Sequence, residues 1–103
     1  MAEYKITKDN FEAECIKSEL PVIIDFWATW CGPCKMVSPM ISELAEELDG
    51  QVKVCKVNVD EEPELAAAFH ISSIPTLCVM KNGKVTKSAV GARPKDQIRS
   101  LLD

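Results

Sequence analysis

One stretch, residues 22–35, constrains the fold more than any other part of the sequence. The apolar run from Val22 to Trp27 is typical of a strand buried on both faces of a sheet. A Gly-Pro pair between two cysteines follows, and apolar residues then recur at helical spacing at positions 34, 37, 41, 44 and 48. This spacing predicts a helix from Cys34 to about Leu48. The chain is therefore expected to pass from a buried strand straight into a helix, with both cysteines at the turn.

The two cysteines at this turn, Cys31 and Cys34, are expected to be reactive. The first N–H groups of a helix lack internal partners and carry partial positive charge, which favours a thiolate at Cys31, and Lys35 adds a nearby cation. On a helix this spacing brings two Cβ atoms to about 5–6 Å or somewhat less, from which a small adjustment reaches disulfide geometry. Pro33 fits the first helical turn because its missing N–H costs nothing there. The motif predicts a dithiol that closes to a disulfide and reopens.

Strand and helix patterns alternate along the rest of the chain. Strands are predicted at residues 4–7, 52–59, 77–81 and 84–90, and helices after Asp9, at residues 60–69 and from Pro94. Asp9 and Glu12 have the spacing of a capping box at the first of these helices. Asn82-Gly83 joins the last two strands as a two-residue hairpin. This order predicts an α/β domain with a mixed sheet.

The residues around the cysteines resemble those of a known family. Trp-Cys-Gly-Pro-Cys-Lys, preceded by Asp-Phe-Trp-Ala, resembles the thioredoxin family, and the resemblance continues at Ile74-Pro75-Thr76 and at Gly91-Ala92. It covers nearly all of the chain. The resemblance implies one thioredoxin domain at residues 1–103, with a central mixed five-stranded sheet flanked by four helices.

The resemblance also implies an activity, the reduction of disulfides in partner proteins. In that family the first cysteine, here Cys31, attacks a substrate disulfide as a thiolate, and the second, here Cys34, resolves the mixed disulfide. Electrons reach the pair from NADPH through thioredoxin reductase, so the resemblance implies no cofactor bound to the chain itself. The sequence has neither a phosphate-cradling glycine loop nor a Gly-x-Gly-x-x-Gly fingerprint.

Two charged residues, Asp25 and Lys56, fall inside predicted strands. The neighbours of Asp25 predict burial on both faces, which raises the pKa of a carboxyl, whereas the alternative turns Asp25 to solvent at the edge of the strand. The resemblance places Asp25 behind Cys34, where it helps to remove the proton of that cysteine. Lys56 either is exposed on an edge strand or, as the resemblance implies, lies near Asp25 and tunes it.

The resemblance implies a mostly uncharged docking surface for partner proteins beside the sulfurs. Thioredoxins have a cis proline at the position matching Pro75, and the residue before it, here Ile74, offers its backbone to an extended substrate. A plain trans proline at the start of a strand is the alternative. The missing side chain at Gly91 would keep the surface beside Trp30 flat and open. The predicted docking residues are Trp30, Gly32, Pro33, Ile74, Pro75, Gly91 and Ala92.

The other cysteines, Cys15, Cys55 and Cys78, are scattered along the sequence. Free cysteine packs like a small hydrophobic residue, so each is predicted to lie in the core, and a regulatory thiol at Cys15 is the alternative. A structural zinc site usually has about four ligands, and the scattered cysteines and the single histidine do not have the spacing of one. The pattern favours a redox pair over a zinc module.

Charge and composition limit the class of partner. The net charge is −4 and the chain has no basic block, which argues against nucleic acid or anionic membranes as partners. Residues 1–10 are polar and lack the apolar core of a signal peptide, and no apolar run reaches the length of a membrane span. The cytoplasm is therefore the expected location. The sequence leaves the oligomeric state open, and a monomer is the default expectation.

Two other functions fit the same residues. A disulfide oxidase or isomerase uses the same fold with a less reducing pair of cysteines, and the Gly-Pro dipeptide between the cysteines favours the reductase. A redox-independent binding subunit would use the same surface without the sulfurs. A variant carrying both Cys31→Ser and Cys34→Ser that kept all function in cells would identify such a subunit.

Overall fold

The computed structural model describes residues 3–103 as one sheet with helices on both faces. The strands are β1 (Glu3–Lys5), β2 (Val22–Trp27), β3 (Lys53–Asn58), β4 (Thr76–Lys81) and β5 (Lys84–Val90). The helices are a short π-helical segment (Glu12–Ile16), α1 (Gly32–Glu47), α2 (Pro63–Ala68) and α3 (Lys95–Ser100). The elements follow one another in the predicted order, which confirms an α/β fold with four helices.

Strand β2 occupies the centre of the sheet, whose strand order is β1-β3-β2-β4-β5. Strands β1 and β2 each pair with β3 in parallel, whereas β4 is antiparallel to β2 and β5 is antiparallel to β4. A central strand has a neighbour on each edge and helices on each face, so all residues of β2 except Trp27 are buried. The predictions of a mixed sheet and of a buried strand at residues 22–27 are confirmed.

Successive residues of β2 face two apolar clusters, one on each side of the sheet. Val22, Ile24 and Phe26 pack beneath the π-helical segment and α2, whereas Ile23 packs with residues of α1 and α3. The ring of Phe26 contacts that of Phe69, with centroids 5.0 Å apart. Packing on both faces fixes the direction in which β2 ends, and therefore the position of the turn that follows it.

Helix α1 begins earlier than the apolar spacing predicts, at Gly32 and not at Cys34. Cys31 is its N-cap, with an extended backbone (φ −89°, ψ 110°), and its sulfur accepts a hydrogen bond from the backbone N–H of Cys34. A cap of this kind is usually made by a serine, threonine or aspartate oxygen. The apolar spacing misses the first turn because Gly32 and Pro33 are exposed.

The predicted capping box at Asp9 and Glu12 is wrong. The π-helical segment begins at Glu12 without a side-chain cap. Asn10 explains the difference, since its Oδ1 accepts a hydrogen bond from the backbone N–H of Thr7 at 2.7 Å and closes the preceding turn. The same turn follows β1. This strand ends at Lys5, two residues before the end of the strand predicted at residues 4–7.

The hairpin between β4 and β5 is formed as predicted by Asn82 and Gly83. Both residues have positive φ, 54° and 78°, which is the backbone of the tightest hairpin turns. A Cβ added at Gly83 would lie 3.1 Å from the backbone oxygen of Ile16. The turn therefore packs directly against the end of the π-helical segment.

Gly83→Ala is expected to destabilise the fold more than Gly50→Ala does. Gly50 also has positive φ (83°), but a Cβ there meets no atom within 4 Å. The backbone cost of about 1–2 kcal/mol is common to both variants, and crowding against Ile16 is added only at Gly83. Urea unfolding of both variants measures the difference. Equal losses of unfolding free energy would contradict the packing described for this turn.

Candidate active site

The turn between β2 and α1 brings Cys31 and Cys34 together. Their Cα atoms are 5.3 Å apart and their sulfurs are joined as a disulfide, so the structure describes the oxidised state. The backbone N–H of Cys34 donates to Sγ of Cys31 at 3.2 Å. An N–H directed at this sulfur from a helix N-terminus stabilises negative charge on it when the disulfide is open. The pair that the spacing predicts is formed.

The loop before β4 brings a second segment against Cys31. The peptide bond between Ile74 and Pro75 is cis, so the alternative of a trans proline is wrong. The carbonyl oxygen of Ile74 lies 3.7 Å from Sγ of Cys31, and the carbonyl of Pro75 accepts a hydrogen bond from the N–H of Gly91 at 2.8 Å. Gly91 has φ of 98°, and its missing Cβ would point into open space. The Ile74-Pro75 and Gly91-Ala92 motifs, which are distant from the cysteines in sequence, therefore meet beside the sulfurs.

Trp30 lies on the surface next to Cys31, with 68% of its area exposed. Its indole N–H donates to Oδ2 of Asp60 at 2.8 Å, which fixes the ring in the loop region after β3. Pro75 is the one predicted docking residue that is fully buried. The structure places the others at least partly at the surface: Trp30, Gly32, Pro33 and Ala92 are exposed, and Ile74 and Gly91 are half-buried.

Asp25 is buried in the middle of the sheet, with 1% of its area exposed, so the solvent-facing alternative is wrong. Neither carboxylate oxygen has a hydrogen-bond partner among residues 3–103. Burial raises the pKa of Asp25 from 3.8 to about 6, while the charge of Lys56 opposes the rise and that of Glu3 adds to it. A carboxyl with this pKa can take up and release a proton near neutral pH.

Lys56 lies beside Asp25, in register with it on the neighbouring strand β3. The alternative of an edge strand is wrong, because β3 lies between β1 and β2. Its Nζ donates to Oγ of Ser38 at 3.0 Å, lies 4.0 Å from Oε1 of Glu3, and stands 4.9 Å from the centre of the Trp27 ring. These contacts hold the ammonium close enough to lower the pKa of Asp25 without a hydrogen bond to it.

A cavity of about 320 Å³ connects Asp25 with the second cysteine. Its walls include Asp25, Cys34, Lys35, Ser38 and Lys56. A cavity of this size with several polar groups has room for water. The arrangement can therefore carry a proton between Cys34 and Asp25 through solvent in the cavity.

The remaining cysteines lie away from this turn. Cys15, Cys55 and Cys78 are free and buried, which confirms their predicted place in the core. Within residues 3–103, no group of three or more His, Cys, Asp or Glu side chains could hold a metal ion. None of the helices in the same part of the chain has the length and apolar character to cross a membrane.

Comparison with known proteins agrees with this geometry. A family model described as thioredoxin matches residues 2–103. The chain belongs to the thioredoxin family. Similar proteins include the thioredoxin of Pyropia yezoensis, 46% identical over 103 residues (100% of this chain, 96% of the relative). Thioredoxin 1 of a Nostoc species is 44% identical over 102 residues (99% and 95%), and the thioredoxin of Haemophilus influenzae is 46% identical over 98 residues (95% and 92%).

Thioredoxins are disulfide reductases, and this member of the family carries the Cys31–Cys34 pair that the activity needs. The chain is therefore a thiol–disulfide oxidoreductase. The family generally holds no bound cofactor and typically acts on disulfide-containing proteins together with a reductase. The thioredoxin fold implied by the sequence is confirmed by the family match and by the mixed five-stranded sheet.

Three residues near the site were missed by sequence analysis: Glu3, Ser38 and Asp60. Asp60 accepts the hydrogen bond of Trp30, while Glu3 and Ser38 hold the ammonium of Lys56. Each acts across the fold on a residue at least 18 positions away, so no local pattern marks it. The one available signal was the position of Glu3 directly before the strand predicted at residues 4–7.

Two variants are expected to move the pKa of Asp25 in opposite directions. Lys56→Met should raise it above about 6, because the ammonium that lowers it is lost. Glu3→Gln should lower it, because a nearby negative charge is lost. A carboxyl-carbon NMR titration of Asp25 measures both. Shifts in the same direction would contradict the electrostatic account.

Proposed function

We propose that the chain reduces disulfide bonds of partner proteins, with Cys31 as the attacking thiolate. The observation that supports this most is the convergence of two backbone groups on Sγ of Cys31. The N–H of Cys34 lies at 3.2 Å and the carbonyl of Ile74 at 3.7 Å. The N–H favours the thiolate, and the backbone at Ile74 offers strand-like pairing to an extended substrate next to the reactive atom.

The first step forms a mixed disulfide. The thiolate of Cys31 attacks one sulfur of the substrate, the substrate S–S bond breaks, and a bond between Cys31 and the substrate forms. The other substrate sulfur leaves as a thiolate and takes a proton from solvent. Trp30, Gly32 and Pro33 next to Cys31 are exposed, so a substrate can approach the chain at this turn.

The second step releases the reduced substrate. Cys34 gives its proton to Asp25 through the shared cavity and attacks Sγ of Cys31. The bond between Cys31 and the substrate breaks, the Cys31–Cys34 disulfide forms, and the substrate leaves with its second thiolate, which is then protonated. The pair has given two electrons to the substrate. The raised pKa of Asp25, about 6, supports its role as the base.

Thioredoxin reductase is the proposed electron donor, with NADPH as its source. Trp30, Gly32, Pro33 and Ala92 are exposed beside the disulfide and carry no charge, so they offer a surface on which both the reductase and substrate proteins can dock. Residues 1–103 would act as one monomeric domain in the cytoplasm. The bacterial relatives support the cytoplasmic setting, although a rice relative is named as chloroplastic.

The test is reduction of insulin disulfides with NADPH and a thioredoxin reductase. Wild type is expected to give steady NADPH oxidation and insulin precipitation. A parallel reaction uses dithiothreitol as the electron source. It tests whether the cysteines can reduce insulin when no reductase has to recognise the protein. Activity in the dithiothreitol reaction but not in the reductase reaction would contradict the choice of that reductase as the electron donor. No activity of the folded, reduced protein in either reaction would favour the redox-independent binding subunit.

A further inference from the structure

Two cysteines outside the active site are in contact inside the core. Cys15 lies in the π-helical segment and Cys55 in the middle of β3, and their sulfurs are 4.0 Å apart. They are 1% and 0% exposed, respectively. Cys78, the third free cysteine, has a serine and not a sulfur as its neighbour, with Oγ of Ser88 at 3.6 Å. Among the free cysteines of residues 3–103, Cys15 and Cys55 therefore form a close pair, and Cys78 stands apart from them.

An ion pair holds the π-helical segment in the register that brings the two sulfurs together. Nζ of Lys53 donates to Oε1 of Glu14 at 2.8 Å. Lys53 lies two positions before Cys55 on β3, and Glu14 lies directly before Cys15 in the π-helical segment. The side chains of Lys53 and Glu14 are 16% and 35% exposed, so this contact is partly shielded from solvent. It attaches the segment to β3 at the point where Cys15 faces Cys55.

The environment makes the two sulfurs unequal. The contact with Cys55 lowers the pKa of Cys15 most, and the positive charge of Lys53 lowers it further against the effect of burial. The contact with Cys15 and burial both raise the pKa of Cys55. Burial also raises the pKa of the isolated Cys78. Of the two sulfurs, Cys15 is the one whose pKa is lowered.

We propose that Cys15 and Cys55 form a second redox site, which closes to a disulfide when the protein meets a hydroperoxide. The observation that carries this is the 4.0 Å contact between two sulfurs that the reduction of substrates does not use. The disulfide needs a sulfur separation of about 2 Å, so the two side chains together move by about 2 Å. Such a movement is small for a five-residue segment without a side-chain cap.

The oxidation balances with hydrogen peroxide as the oxidant. The thiolate of Cys15 attacks one peroxide oxygen, the O–O bond breaks, and hydroxide leaves and is protonated to water. Cys55 then attacks the sulfenic acid sulfur of Cys15, the S–O bond breaks, and a second water leaves with the proton of Cys55. The two sulfurs have lost two electrons to the peroxide. A dithiol such as dithiothreitol reverses the change by disulfide exchange.

The oxidant reaches the pair when the π-helical segment opens. Isolated helices of a single turn are unstable, and local opening exposes buried groups without global unfolding. Glu12, Ala13 and Ile16 in this segment are exposed, so few of its side chains are held by the core. Hydrogen peroxide is also close to water in size, so a small opening is enough.

The experiment uses the full chain with Cys31→Ser and Cys34→Ser, which leaves three cysteines. The folded protein is treated with hydrogen peroxide, the peroxide is removed, and free thiols are alkylated in denaturant before intact-mass analysis. The expected product carries a single alkyl group, has lost the mass of two hydrogen atoms, and yields a peptide that links Cys15 to Cys55. Dithiothreitol should restore all three thiols. Cys78 should be oxidised roughly tenfold more slowly than the pair.

Matched variants in the same background complete the test. Cys78→Ala should still form the disulfide, whereas Cys15→Ala and Cys55→Ala should each keep both remaining thiols. Circular dichroism checks that each variant is folded. If one variant does not fold, the peptide map of the Cys31→Ser, Cys34→Ser protein still tests the disulfide. Three alkyl groups after peroxide treatment, separate sulfinic acids on Cys15 and Cys55, or a bond that includes Cys78 would overturn the proposal.

Discussion

Cys34→Ser is expected to convert a transient intermediate into a stable covalent complex with the substrate protein. Cys31 can still attack the substrate disulfide, because its sulfur, the helix N-terminus and the Ile74 carbonyl are unchanged. The mixed disulfide then persists, since a serine hydroxyl does not displace a thiolate at neutral pH. Turnover in the insulin assay should fall by roughly a thousandfold or more. Non-reducing electrophoresis and intact mass detect the complex.

Two control variants define this result. Cys31→Ser should form no complex, because the N–H that favours a thiolate and the Ile74 backbone that would pair with a substrate both lie against the sulfur at position 31. Cys78→Ala removes a buried sulfur far along the sequence from the site, and it should retain turnover and trap nothing. Complexes of equal yield with Cys31→Ser and Cys34→Ser would contradict the assignment of Cys31 as the attacking residue.

Asp25→Asn is expected to abolish a loss of stability that wild type suffers as the pH rises. The pKa of Asp25 is about 6 in the folded protein, against 3.8 for an aspartate in water. Between these values the unfolded chain releases its proton first, so the free energy of unfolding of wild type falls with rising pH. A difference of about 2 between the two pKa values corresponds to a loss of about 3 kcal/mol, which is complete above about pH 6.

Urea unfolding of both proteins at pH 4 and at pH 7.5 measures this effect. The asparagine of the variant and the protonated form of Asp25 are polar groups of similar shape, so the two proteins should differ least at pH 4. The variant should be more stable than wild type by up to about 3 kcal/mol at pH 7.5. The exposed Asp49→Asn variant should show no such gain. A constant difference between Asp25→Asn and wild type at the two pH values would contradict the raised pKa.

The same variant should slow the second step of catalysis. Without a base in the cavity, Cys34 must lose its proton to bulk solvent, and release of the reduced substrate should slow by roughly a hundredfold at pH 7. The defect should shrink at higher pH, as hydroxide takes over the role of the carboxylate. Rapid-quench measurement of the mixed disulfide follows this step. An unchanged rate of resolution would remove Asp25 from the mechanism.

Local patterns in the sequence predicted the strand at residues 22–27, the Cys31–Cys34 pair and the hairpin at Asn82-Gly83. These features depend on hydrophobic spacing, helical geometry and turn preferences, all of which act within a few residues. The burial of Asp25 was also predictable, because every neighbour along its strand is apolar.

Other features depend on contacts between distant segments. The start of α1 at Gly32 rests on the hydrogen bond to the Cys31 sulfur, which apolar spacing does not report. The capping box failed because Asn10 offered a competing bond to the backbone of Thr7. The contacts of Lys56 with Ser38 and Glu3 require the register of β1 and β3 and their position against α1, which only the folded chain defines.

A single-turnover reaction tests the central claim most directly. Fully reduced protein is mixed with a small protein that contains one disulfide, without any other reductant, and the thiols of both proteins are mapped by alkylation and mass analysis. The account predicts equimolar conversion: the substrate disulfide opens, Cys31 and Cys34 become joined, and Cys15, Cys55 and Cys78 stay free. The account would be contradicted if the substrate were reduced while Cys31 and Cys34 stayed free. Oxidation of Cys15, Cys55 or Cys78 in their place would also contradict it.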